Sequence, residues 1–385
     1  MTGTDGDDAP ALSAEELRRR LDGGDSLRVL DVRNREEVEA WSIPASDRVT
    51  VPYMKFVAAG ASDGVADLAA ENGLDDGTEL VVVCAEGKAS DEVAAQLREV
   101  GLDAANLAGG MEGWARLYES TVVDHDPRVV QYVRPSSGCL SYMVVSGEEA
   151  AVVDPLRAFT DRYHADALEA GANLRYALDT HVHADHVSGL RALAEEGVEA
   201  VLPNGATERG LADPERFTLL DSGEELTVGD VELEAISTPG HTTEMTAYRL
   251  DQTLLTGDGV FTKRVPRPDL EAGDEGAADH ARDLYRTLTE RLGTLPDLVR
   301  IAPGHYDPSD DAVGTDHAHV ATLGEVRSLP VFEMDEDEFV EYVTERMGDR
   351  PANFERIVAI NLGQESVDDD EAFELELGPN NCAAG

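Results

Sequence analysis

The hydrophobic pattern divides the chain into short apolar runs, each closed by a polar loop. Leu174 to Leu178 reads as a buried strand, and Ser188 to Gly197 as a helix. Val231 to Ile236, Gln252 to Leu255 and Leu298 to Ile301 read as further strands, as do Leu27 to Leu30 and Leu80 to Val83 nearer the start, with another ahead of Gly109. Strand-like runs alternating with helical stretches predict an α/β protein. Beyond residue 310 the pattern changes. Val331 to Gly348 predicts an acidic amphipathic helix and Ile357 to Ile360 a short apolar anchor, so this part is expected to pack back on the preceding domain. A chain of 385 residues supports two ordinary domains and an extension. The expected division is a frayed tail over residues 1–10, a domain over 11–120, a seam near Glu119 to Pro127, a second domain over 127–310 and an extension over 311–385. There is no internal repeat, P-loop or dinucleotide fingerprint.

The candidate chemistry sits where the apolar runs stop. Thr180-His181-Val182-His183-Ala184-Asp185-His186 packs three imidazoles and a carboxylate onto one loop at a strand end. Neutral imidazole is the commonest metal ligand, and a single His-rich loop rarely completes a site, so further donors are expected downstream. Pro239-Gly240-His241, Gly257-Asp258 and Gly304-His305 supply them, each after an apolar run and each beside a glycine that lets the backbone turn sharply near an ion.

Composition narrows the partners. With 79 acidic against 31 basic residues, a formal charge of -48, the chain repels nucleic acid and anionic membranes, and neither is an expected partner. Lys55, Lys88 and Lys263 are the only lysines, and 42% of residues stay apolar, which points to a folded protein of a high-salt, haloarchaeal-type cytoplasm where screening removes most self-repulsion. Cys84, Cys139 and Cys382 make no disulfide framework, consistent with a reducing interior. No apolar run is long enough to span a bilayer, and Met1 to Pro10 is acidic rather than signal-like, so a cytoplasmic location is expected.

The ordered set HxHxDH, PGH, GD and GH resembles the metallo-β-lactamase superfamily over about Pro127 to Pro308, which implies an αββα sandwich with its metal site at one sheet edge. Gly138-Cys139-Leu140-Ser141-Tyr142, Val152-Val153-Asp154-Pro155, Arg267-Pro268-Asp269-Leu270 and Gly378-Pro379-Asn380-Asn381-Cys382 resemble its persulfide dioxygenase branch. Asp31-Val32-Arg33, Cys84-Ala85-Glu86-Gly87-Lys88-Ala89-Ser90 and Gly109 to Trp114 resemble a single rhodanese domain with a parallel sheet over about Leu12 to Leu117. A thiol at the mouth of a helix starting near Ala89 feels convergent N–H groups, which favour the thiolate that carries sulfane sulfur. The loop departs from the rhodanese pattern: Ala89 stands where an Arg is usual, Glu86 adds negative charge, and Lys88 is the one cation left to meet a substrate. A working, a weakened and a purely structural Cys84 all remain open.

The resemblance implies a mononuclear Fe(II) held by His181, His241 and Asp258. Asp185, counted with Cys84 among the catalytic groups, would orient ligands and water together with His183, His186 and His305. Arg267 and Tyr285 would lie near the pocket of the thiol carrier, with an exposed Arg and a core Tyr as the plain alternatives. Substrates would be a small-thiol persulfide and O2, with sulfur-donor proteins as further partners; members of the branch are often oligomeric. A second reading keeps all seven donors as ligands of two Zn(II) ions in a thioester hydrolase of the glyoxalase II type. A third is a non-catalytic sulfur or redox sensor.

Overall fold

The structure is a computed structural model that describes residues 11–307, 318–378 and 382–384. The expected tail over 1–10, the 310/311 boundary and residues 379–381 of the C-terminal motif lie outside the described residues. The chain divides into two compact units.

The first unit runs to Leu117 and includes Arg134–Ser137. Its sheet orders the strands Ala11–Leu12, Ala104–Leu107, Glu79–Val83, Leu27–Asp31 and Arg48–Thr50, all parallel. Parallel strands need crossover segments that cover both faces, and two separate apolar clusters do so. One gathers Leu30, Val82, Val93 and Leu97; the other gathers Leu17, Val29, Val81 and Trp114. Cys84 follows the central strand Glu79–Val83, at the carboxyl ends where such sheets present their chemistry.

The second unit has two sheets. One orders seven strands, with Glu149–Val153 between Cys139–Ser146 and Asn173–Leu178; the other orders six, with Thr253–Gly257 between Thr246–Leu250 and Arg300–Pro303. Val144, Val153 and Leu178 of the first interleave with Leu233, Tyr248 and Leu255 of the second in one buried cluster. The outer face of the seven-stranded sheet packs on helices Thr160–Glu169 and Leu190–Glu195, and that of the six-stranded sheet on Gly273–Arg286 and Glu336–Thr344. Each sheet buries both faces, giving the αββα layering.

Three expected elements differ. The seam Glu119 to Pro127 is largely a strand, Glu119–His125, at the edge of the seven-stranded sheet and paired with Arg128–Arg134. The helix expected over Val331 to Gly348 is a short turn at Pro330–Glu333 followed by a helix at Glu336–Thr344. Asp335 starts that helix by accepting from the Glu338 amide, while the Glu338 carboxylate accepts from the Asp335 amide. The last strand begins at Arg300, and Leu298 is 79% exposed. The C-terminal helices belong to the second unit, with Ile357 and Ile360 buried against Val187. No helix among the described residues is long and apolar enough to cross a membrane.

Candidate metal centre

The loop after Asn173–Leu178 leaves regular structure while remaining buried, so its backbone must find partners outside a ladder. Asp154, just past the neighbouring strand Glu149–Val153, accepts from the Thr180 amide at 2.7 Å, the Thr180 hydroxyl at 3.1 Å and His183 Nε2 at 3.1 Å. Because the Thr180 hydroxyl donates to Asp154, its lone pair accepts from His181 Nδ1 at 2.9 Å. His241 Nδ1 donates to the carbonyl oxygen of Arg267 at 2.7 Å. Both imidazoles therefore carry their proton on Nδ1 and present a lone pair on Nε2.

Those two Nε2 atoms and Asp258 Oδ2 have no hydrogen-bond partner, although all three side chains are buried. Ligand atoms of His181, His241 and Asp258 lie within 4.8 Å of one another, and His241 Nε2 is 3.6 Å from Asp258 Oδ2. Three acceptors turned toward each other with no donor between them is an arrangement that a cation resolves. Burial drives the His181 pKa well below the ordinary range and lowers that of His241, so both rings are neutral and ready to ligate. For Asp258 burial acts upward, but His305 and His241 outweigh it and hold the carboxyl below its usual range. The residues fit a divalent metal held by two imidazoles and a carboxylate.

The other four donors of the motif set are committed differently. His305 spans two carboxylates, with Nδ1 2.7 Å from Asp258 Oδ1 and Nε2 2.9 Å from Asp185 Oδ2. Asp185 Oδ2 also meets His186 Nδ1 at 3.2 Å and the Cys139 thiol at 3.4 Å. His183 faces Asp154 and, at 3.8 Å, Asp179. Cys139 with Asp185 and His186, Cys382 with Asp185 and His305, and the group Asp154, Asp179 and His183 are also close enough to share an ion. Sequence reasoning gave no ligating position to Cys139, Cys382 or Asp179; an apolar run ending in an acid, as at Asp154 and Asp179, was the available signal.

Arg267 and Tyr285, expected near the substrate, are both engaged by protein groups. Arg267 is 1% exposed, and its guanidinium is bound to Asp269 and to the carbonyl oxygens of Gly348 and Asp349. Its backbone carbonyl, not its charge, meets the metal centre. Tyr285 is half-buried, packs on Phe339 and donates to the Met334 carbonyl at 3.3 Å. In the first unit the Cys84 sulfur accepts from the Gly87 amide and the Ser90 hydroxyl, both at 3.1 Å, at the start of helix Lys88–Glu99. Gly87 adopts a left-handed conformation with φ 86°, and a Cβ there would meet the Gly109 nitrogen at 2.8 Å. The loop therefore closes only with glycine. Lys88 pairs with Glu86 at 2.5 Å.

Residues 135–305 match the metallo-beta-lactamase superfamily, and residues 13–117 match the rhodanese-like domain. A probable metallo-hydrolase of Burkholderia pseudomallei is 31% identical over 220 residues, spanning 46% of this chain and 72% of that protein. The chain belongs to the metallo-β-lactamase superfamily. It carries a rhodanese-like domain ahead of the superfamily domain, and it is a metal-dependent enzyme. The human mitochondrial persulfide dioxygenase ETHE1 is 28% identical over 240 residues, spanning 60% of this chain and 86% of that protein. The crystal structure of ETHE1 from Myxococcus xanthus superposes with a TM-score of 0.52 at 26% identity, covering 61% of this chain and 98% of that one.

Proposed function

We propose that this protein oxidises the persulfide of a small thiol with O2 and water, giving sulfite, the free thiol and two protons, and that its rhodanese-like domain carries sulfane sulfur on Cys84. The observation that carries the reading is the commitment of the donors. His181, His241 and Asp258 converge three unpartnered atoms on one point, while His305 has both ring nitrogens engaged by carboxylates. Two imidazoles and one carboxylate on a single ion leave positions for a sulfur ligand and for O2, the arrangement of non-haem iron oxygenases. Similarity to persulfide dioxygenases supports the same choice.

Fe(II) held by this triad would supply open coordination positions and a route for electrons from the terminal sulfur, which is oxidised, to O2, which is reduced. The chain's own residues prepare that position. Thr180 and the Arg267 carbonyl fix the ring orientation of the two histidines. His305 holds Asp258 through Oδ1 and leaves Oδ2 to the metal. Asp185 and its three donors form a hydrogen-bonded network beside the triad, next to which His183 Nδ1 and His186 Nε2 are also buried without a hydrogen-bond partner. The dinuclear zinc thioester hydrolase draws support from the closeness of Cys139, Asp185 and His186, but it requires His305 to give up a carboxylate.

The test is O2 uptake and sulfite release by anaerobically purified, Fe(II)-loaded protein on adding a small-thiol persulfide in high salt. Stoichiometric sulfite, lost in Asp258→Ala together with the iron, is the expected result. Iron-loaded protein that consumes no O2, alongside zinc-loaded protein that hydrolyses an acylated small thiol, would overturn it.

A further inference from the structure

The loop Thr180 to Ser188 carries four of the seven donors yet has almost no regular structure of its own, so something else must hold its shape. Side chains do so at four points. Asp154 takes the Thr180 amide at 2.7 Å, and Glu244 takes the Val182 amide at 2.8 Å. The other two come from the C-terminal extension. The Asn361 side-chain nitrogen donates to the carbonyl oxygens of His183 and His186, each at 2.9 Å, while its oxygen accepts from the Ser188 amide at 2.9 Å. Glu376 accepts from the Val187 amide at 2.8 Å. Between these contacts the Val187 side chain is buried among Ile357, Ile360, Ala372 and Leu375.

We infer that the C-terminal extension is half of the mould that shapes the metal-binding loop, and that Asn361 is its positioning residue. One planar amide satisfies three backbone groups spread over six residues, using both donor hydrogens and an acceptor lone pair. The clamp holds the backbone of His183 and His186, whose rings meet Asp154 and Asp185, on the same loop that brings His181 to the metal triad. Asn361 ends the helix Phe354–Asn361, so its position is set by the burial of Ile357 and Ile360 rather than by the loop it clamps. This assignment rests on the metal-centre reading and not on the identity of the reaction. Residues that orient ligands from behind typically change metal affinity by about 10–100-fold when lost.

The experiment titrates metal-free full-length protein with Co(II), whose visible absorption reports both affinity and coordination geometry. Asn361→Asp keeps the size and the acceptor for Ser188 but sets an oxygen against two carbonyls; Asn361→Ala removes all three contacts. Val343→Ala, in the helix Glu336–Thr344 and buried in a different cluster, serves as a control for general loss of stability. Both Asn361 variants are expected to raise the Co(II) dissociation constant about 10–100-fold and to alter the spectrum, with Val343→Ala binding as wild type. Wild-type affinity and spectrum in Asn361→Asp, or an equal loss in Val343→Ala, would overturn the clamp. A wild-type protein that takes up no Co(II) overturns the metal centre itself, and the clamp with it.

Discussion

Thr180→Val separates orientation of a ligand from presence of a ligand. The side chain is fully buried, and valine has nearly its shape, so the change removes a hydroxyl without opening a cavity. Two interactions go: the hydrogen bond to Asp154 at 3.1 Å and the acceptor for His181 Nδ1–H at 2.9 Å. Asp154 keeps the Thr180 amide and His183, so the main loss is a buried imidazole N–H left without a partner, worth about 1–3 kcal/mol. Part of that cost is avoided if the proton moves to Nε2, but this places hydrogen where the metal must bind. Either route weakens the metal site, and about 1.4 kcal/mol corresponds to each tenfold in affinity. The expected loss is therefore about 10–100-fold, in agreement with the general effect of removing such a partner. Competition against a chelator of known affinity measures it, with Thr180→Ser expected to bind close to wild type. Metal affinity in Thr180→Val within about twofold of wild type would refute the reasoning, since that corresponds to well under 1 kcal/mol. So would an equal loss in Thr180→Ser, because the hydroxyl would then be irrelevant.

Chelator-buffered titration should show one tight metal ion per chain, with a second bound at least about tenfold more weakly because His305 must first abandon a buried carboxylate; two ions of equal affinity would contradict this. Cys84→Ser should abolish sulfur transfer from thiosulfate and leave oxidation of a presented small-thiol persulfide unchanged, while Glu86→Gln should raise transfer from that dianion a few-fold at low salt by freeing Lys88, an effect that vanishes near 1 M salt where the Debye length is about 3 Å. With a formal charge of -48, the thermal midpoint should climb between about 0.1 and 1 M KCl; a midpoint independent of salt would mean that self-repulsion is not a significant term.

What the sequence shows well is the set of donors and the strands that deliver them. His181, His241, Asp258 and His305 each end an apolar run, and the strands Asn173–Leu178, Val231–Ser237, Thr253–Gly257 and Arg300–Pro303 place them at strand ends as the pattern predicts. Burial drives that pattern, so it is written locally. Glu119–His125 escaped because an edge strand buries little, and its alternation of half-buried and exposed positions gives no apolar run. Arg267 escaped for another reason. An arginine reads as exposed or as a substrate contact, yet Asp269 and the carbonyls of Gly348 and Asp349 give it a fully bonded burial, and the last two arrive from some eighty residues away. Asn361 carries no chemical signature in its surroundings, and only the folded backbone reveals that three groups of the His loop converge on it.

The same limit applies to the number of metal ions. Seven donors in the order His181, His183, Asp185, His186, His241, Asp258 and His305 serve equally for one ion with an oriented surround or for two ions, because residue types say nothing about where lone pairs point. Proton positions bear on it. His305 lies between Asp258 Oδ1 and Asp185 Oδ2, and these two carboxylates with the adjacent histidines make up a network in which each ring nitrogen of His305 already has a use. The Cys139 thiol adds another contact on the same Asp185 oxygen, so a second ion could take that oxygen only by displacing three contacts, although His183 Nδ1 and His186 Nε2 nearby are buried without a hydrogen-bond partner. At the triad nothing needs displacing, since His181 Nε2, His241 Nε2 and Asp258 Oδ2 are buried and unpartnered. Leaving them so costs energy that an ion recovers on binding, whereas an ion that took His305 as a ligand would begin by breaking one of its two carboxylate contacts.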